Sequence, residues 1–174
     1  MKKLFCISLL ATALMSGLNS HAQEDKSKRP SPPALVTQKL AGGAAVSIDY
    51  SQPSVKGRTI GEYLEPKDGQ VWRTGANEAT VFETDKDINV AGQKLPAGKY
   101  GLFTLFCGDD VTVIFNKTWK QWGAFKYNQA DDFLRIKTTL TREKTPTEMM
   151  TFTISEKGAV TLLWGDRRFE FPVK

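Results

Sequence analysis

The sequence predicts an all-β fold, a single antiparallel β-sandwich or flattened barrel of about ten strands. Apolar and polar residues alternate with a period of two along most of the chain, and turn residues punctuate that alternation. No long segment carries the 3.6-residue apolar period of an amphipathic helix. Strand-like runs fall at 34–40, 45–50, 70–73, 78–84, 88–90, 99–107, 111–116, 133–139, 150–155, 159–164 and 168–173. The first two flank Gly42-Gly43, which suits a tight hairpin because glycine accepts positive φ, and Val46, Ile48 and Tyr50 then share a face.

Met150, Phe152 and Ile154 alternate with Thr151, Thr153 and Ser155, and Phe169, Phe171 and Val173 alternate with Arg168 and Glu170. Such strands have one buried and one wet face. The run 99–107 differs. Tyr100, Leu102 and Phe106 fall on one side and Phe103, Leu105 and Cys107 on the other, so both faces want cover and the strand belongs in the middle of a sheet. Turns are expected at Gly92, Pro96-Ala97-Gly98, Gly108-Asp109-Asp110, Gly158 and Gly165-Asp166. The least strand-like stretches are 57–69 and 117–132, the second with room for a helical turn.

The N-terminus reads as a signal peptide over 1–22. Met1-Lys2-Lys3 is a basic start, 4–18 is mostly apolar, and Ser20-His21-Ala22 is a small-residue cleavage site. Cleavage after Ala22 makes the product exported, periplasmic or extracellular. No later run approaches the roughly 18 apolar residues of a membrane-spanning helix. A polar, proline-rich stretch over 23–33 (QEDKSKRPSPP) reads as a flexible leader, followed by one β-sandwich domain over 34–174.

Cleavage changes the chemical inventory, because His21 and Cys6 leave with the signal and Cys107 becomes the single thiol. Ser-His-Asp and Cys-His catalysis, histidine-ligated metals and an internal disulfide are thereby excluded, and Cys107 is expected to be buried and inert. Nothing in the composition calls for a metal or a cofactor. Asp109-Asp110 and Asp131-Asp132 lack the regularly spaced oxygen ligands of a calcium loop. Lys and Arg number 24 against 19 Asp and Glu, and the net charge of +5 falls to +3 once Lys2 and Lys3 are removed. With no basic stripe or recognition motif, nucleic acid is not an expected partner. Asn116-Lys117-Thr118 matches the short glycosylation pattern, which recurs by chance.

Residues 71–80, V-W-R-T-G-A-N-E-A-T, gather an aromatic, a guanidinium, an amide and a carboxylate within ten positions. Read as a hairpin, the run sets Arg73 opposite Glu78 as a cross-strand ion pair. Together with Tyr50, Arg58, Trp72, Asn77, Trp122, Lys126 and Tyr127 these residues supply flat aromatic faces and hydrogen-bonding groups, the combination that grips sugars or planar ligands. Each also has a structural alternative: tryptophans as core plugs, Arg73 and Glu78 as a satisfied pair, Asn77 as a turn residue.

Five ordered segments carry a family resemblance: D-Y-S-Q-P-S-V-K-G-R (49–58), V-W-R-T-G-A-N-E-A-T (71–80), L-P-A-G-K-Y-G-L-F-T (95–104), V-I-F-N (113–116) and Q-W-G-A-F-K-Y (121–127). They resemble the bacterial exported family called domain of unknown function 2911, over roughly 34–174. The resemblance implies export and brings no catalytic residues. Gln52 stands where the family pattern favours arginine.

The leading functional expectation is a binding module for a small ligand or envelope glycan rather than an enzyme. The first alternative is a histidine-free saccharide hydrolase in which Glu78 acts as the acid, against the pull of Arg73, with Asp49 or Glu83 as the second carboxylate. The second is an envelope structural domain whose exposed aromatics meet a protein partner.

Overall fold

The structure, a computed structural model, describes residues 25–174. The expected signal segment and its cleavage site lie outside the described residues. Eleven strands follow in order: β1 Pro33–Lys39, β2 Ala45–Ser51, β3 Val71–Trp72, β4 Val81–Thr84, β5 Ile88–Val90, β6 Gln93–Leu95, β7 Gly98–Cys107, β8 Asp110–Asn116, β9 Asp132–Thr139, β10 Thr141–Ile154 and β11 Ala159–Pro172. Short 3-10 turns occupy Lys26–Lys28 and Gln129–Asp131, the second inside the stretch expected to hold a helical turn.

Seven strands form one antiparallel sheet in the order β1-β2-β4-β7-β8-β9, with β3 also on β7, and a long β10-β11 ribbon packs across it. The strands do not close into a barrel, so the sandwich is the form adopted. Between sheet and ribbon, Phe82 and Phe171 pack on Phe115, and Tyr50 meets Phe152, as edge-to-face rings 5.1–6.0 Å apart. Burying one such aromatic contributes about 1.5–3 kcal/mol. Among the described residues, no helix is long and apolar enough to cross a membrane.

Strand β7 is central, as its double apolar pattern requires. Tyr100, Leu102 and Phe106 join the main core, while Phe103 on the opposite face forms a smaller cluster with Ala79 and Ile114 under the segment 117–127. Cys107 was expected inside and is exposed. The reason is positional: along that face Phe103 is fully buried, Leu105 half-buried and Cys107 exposed, because β7 runs out from under its cover.

Other local expectations are corrected by pairing between distant segments. Residues 71–80 are not a hairpin. β3 pairs with the far half of β7 (Val71 opposite Leu105) and β4 with the near half (Val81 opposite Gly101), so Arg73 and Glu78 lie at the ends of a buried turn rather than across two strands. That turn is closed from within, the Trp72 indole donating to the Gly75 carbonyl at 3.1 Å and the Thr80 hydroxyl to the Thr74 carbonyl at 2.8 Å.

The runs 159–164 and 168–173 merge into β11, which passes straight through the Gly165-Asp166 pair expected to be a turn. Strand β10 begins nine residues before the expected start at Met150, with register shifts either side of Thr147. Its first half is charged and carries Pro146, so it has no alternation of its own and is held as a strand by β11. β6 was also unforeseen, because Gln93 and Lys94 are exposed. It returns from β5 through Ala91 and Gly92, both at positive φ (47° and 84°), the backbone of a two-residue I′ turn. The Gly42-Gly43 turn joins β1 to β2 as expected, the Gly43 N–H donating to the Leu40 carbonyl at 2.8 Å.

Gly158 is the tightest glycine, at φ 86° with a Cβ that would lie 1.7 Å from the Val173 carbonyl oxygen. Gly158→Ala should therefore cost about 2–4 kcal/mol in denaturant unfolding. Gly69→Ala, at φ 71° in open space, should cost only the left-handed penalty of about 1–2 kcal/mol. Equal losses would contradict the clash. Cys107 should react with a thiol reagent in native buffer as fast as in denaturant; protection would place it back in the core.

Candidate functional site

The inward turn of Val46, Ile48 and Tyr50 on β2 sends Asp49 to the other face of the sheet, beside Val81 of β4. Over that face lies the segment 117–127, stitched down by backbone bonds. The Ala79 N–H donates to the Gln121 carbonyl at 3.0 Å and the Gly123 N–H to the Asn77 carbonyl at 2.9 Å. Gln121 braces the segment internally, its Nε2 donating to the Thr118 carbonyl at 2.7 Å and its Oε1 accepting from the Lys126 N–H at 2.9 Å. Gly101 makes room beneath, since a Cβ there would meet Phe103 at 2.6 Å and the Trp119 backbone at 3.3 Å. The clip sets Trp122 in a bridge pairing with Glu78. The result is a cleft of about 560 Å³ with Asp49, Glu78, Trp119 and Trp122 in its lining and the amines of Lys120 and Lys126 alongside.

Trp122 is 52% exposed, an unusual state for an indole with a packed loop to bury it in. Glu78 takes Lys26 Nζ and Arg29 Nη1, each at 2.8 Å, and the Arg29 guanidinium also lies over the Trp122 ring, 5.6 Å from its centre. Burial pulls the Glu78 carboxyl up, but hydrogen bonds from Lys26, its own backbone N–H and Arg29 outweigh it, so the group lies below its ordinary value. Asp49 behaves oppositely. Burial raises its carboxyl, and the neighbouring Glu78 charge adds to that against the pull of Lys26 and Lys99. Its carboxylate has no hydrogen bond or ion pair among the described residues.

Of the residues singled out in the sequence, Glu78, Trp122 and Lys126 meet in this cleft, with Tyr50 reaching its lining. The Tyr50 ring is nevertheless core, 6% exposed, its hydroxyl accepting from the Phe152 N–H at 3.0 Å. Trp72 is buried in a stack on Trp164 at 5.7 Å. Arg73 pairs with Glu65 at 2.6 Å, not with Glu78, so it does not hold the Glu78 charge. Arg58 lies on another depression and donates to the Ser54 and Val55 carbonyls.

Asn77, at φ 58°, donates to the Ser31 carbonyl at 3.0 Å and so fixes the chain that enters β1. Tyr127 packs on Phe103 and donates to Asp132 at 2.7 Å; burial, then that carboxylate, push its phenol far above the ordinary range. Glu83 pairs with Lys99 at 3.2 Å, which leaves Asp49 as the carboxylate beside Glu78. Asn116 is fully buried, its amide donating to the Asn128 carbonyl and Asp132, so it is no glycosylation acceptor in the folded chain. The sequence reading missed Trp119 and Lys120, although W-K-Q-W over 119–122 carried a signal in its paired indoles, and it missed the leader cations Lys26 and Arg29.

Fold and cleft define an antiparallel β-sandwich with a mixed-charge, indole-lined surface site. The family described as protein of unknown function (DUF2911) matches residues 31–173, and the chain belongs to it. No curated protein and no solved structure matches the chain.

The carboxylates give opposite pH signatures. The raised carboxyl of Asp49 disfavours the folded state once ionised, so its stability contribution is complete below about pH 3.8 and lost as pH rises through the folded value. Asp49→Asn should then match the parent at low pH and exceed it at pH 7, by at most about 1 kcal/mol because solvent screens the site. Glu78→Gln should do the reverse, losing stability at pH 7 and converging with the parent as acid protonates Glu78. Melting curves across pH check both, and parallel pH profiles for the two variants would refute the assignment.

Proposed function

We propose that this chain is an exported protein that binds a small polar ligand, with a saccharide as the leading class, in the cleft between β2, β4 and the segment 117–127. The observation that carries the reading is Trp122, half exposed in one cleft with the carboxylate of Asp49, which has no partner among the described residues. An indole face takes the apolar face of a sugar ring, and fixed carboxylates, amines and amides around it take the hydroxyls. Asp49 is exposed, so its carboxylate is open to a ligand in the cleft.

A second reading, saccharide hydrolysis, is favoured by one observation: two carboxyls of the same cleft are displaced in opposite directions. Glycoside cleavage needs one carboxyl that donates a proton and one that stays ionised. On this reading the donor is Asp49 and the ionised partner Glu78, the reverse of the role expected for Glu78 from sequence, because Lys26 and Arg29 hold its charge.

The test is a thermal-shift screen of the chain from Gln23 onward against glycan and peptidoglycan fragments and small anions, beside Trp122→Ala. A ligand at a hundred times its dissociation constant should add about 2.7 kcal/mol, lost in Trp122→Ala. No shift from any class would sink the reading and favour a protein interface. Release of reducing sugar, abolished by Asp49→Asn with the fold intact, would establish the hydrolase.

A further inference from the structure

The leader is held against the cleft by its side chains. Its turn at Lys26–Lys28 is capped by Asp25, which accepts from the Ser27 N–H, and the backbone bonds of the turn run within it, from Lys28 to Asp25 and from Arg29 to Lys26. The chain is anchored from Ser31 onward, where the Ser31 carbonyl accepts from Asn77 and the Pro32 carbonyl accepts from the Gln52 N–H at 2.9 Å. Pro30 and Pro32 restrict the backbone between turn and anchor. Upstream of that anchor, Lys26 and Arg29 both reach across to Glu78.

Arg29 is the unusual member. In a stretch of polar composition, its side chain is 11% exposed, with its guanidinium against a carboxylate on one side and over an indole on the other. A carboxylate plus an aromatic face is the arrangement with which proteins grip guanidinium and ammonium groups of ligands. Both ion-pair partners of Glu78 belong to the leader, so lifting the leader away leaves the Glu78 and Asp49 carboxylates facing the cleft beside Trp122. Lys120 and Lys126 remain to hold polar or anionic parts of the same ligand.

We infer that Glu78 and Trp122 form a cation subsite of the cleft, occupied here by the chain's own Arg29, and that a ligand bearing a guanidinium or ammonium group displaces the leader to enter it. The inference rests on reading the cleft as a binding site and adds the ligand's charge and an internal competitor. The Lys26–Glu78 pair is exposed and weak, so the strap depends chiefly on Arg29, and a ligand cation that makes the same two contacts can replace it. While docked it lowers the apparent affinity in proportion to the fraction of molecules left open.

The test uses the chain from Gln23 in parent and Lys26→Ala/Arg29→Ala forms, titrated calorimetrically with arginine amide and with its neutral isostere citrulline amide. The double variant should bind arginine amide about tenfold or more tightly than the parent, as expected if the strap closes nine molecules in ten. Adding Glu78→Gln or Trp122→Ala should remove that gain, and citrulline amide should respond to neither change. Circular dichroism and melting of each variant confirm folding, and the surface position of Trp122 makes its variant the safer of the two. Equal affinity with and without the strap, equal binding of the two amides, or no binding of arginine amide to the double variant overturns the inference. If saccharide fragments still bind in a Trp122-dependent way in that event, the cleft stands as a binding site and only its cation preference fails.

Discussion

The cover on both faces of β7 is the constraint on which the rest of this structure depends. A strand with Tyr100, Leu102 and Phe106 on one side and Phe103 on the other is stable in water only if two separate layers are supplied. The β10-β11 ribbon supplies one, and its aromatics complete the main core. The other is the irregular segment 117–127, which lays Ala124 and Tyr127 on the Phe103 cluster and leaves Trp122 and Phe125 exposed. Backbone hydrogen bonds to Asn77 and Ala79 hold that second layer down, and they also define the cleft.

The candidate site is therefore a by-product of covering the sheet. Because the segment touches down at 77–79, Trp122 is delivered beside Glu78, and because β2 alternates, Asp49 faces the same space. The local charges are uneven. Glu78 is oversupplied with cations by the leader, whereas Asp49 receives none directly. Two carboxyls of one cleft thus have opposite protonation tendencies, and that asymmetry arises from a segment outside the sandwich.

The proline-rich leader changes meaning in this setting. Its composition reads as a spacer, yet Arg29 sits between Glu78 and the Trp122 indole, and Ser31 is tied to Asn77. Composition reports how a segment behaves alone; it carries no information about a carboxylate 49 residues away that the fold presents to it. The same limit explains Arg73 and Glu78, whose separation of five suggested a cross-strand pair. β3 and β4 instead align on different halves of β7, and each charge finds a partner elsewhere.

The sequence alone determined the elements whose signal is local. Period-two alternation marked the strands, double apolarity marked β7 as central, and glycine pairs marked the β1-β2 turn, because side-chain direction along a strand and tolerance of positive φ are properties of adjacent residues. Tertiary structure decided what depends on distant partners: the full length of β10, whose charged first half is a strand because β11 pairs with it; the exposure of Cys107, where the cover over β7 ends; and the pairing of Glu78 with Lys26 and Arg29. An ion pair is selected by which side chains the assembled strands and loops bring within a few ångströms, and sequence spacing does not encode that proximity.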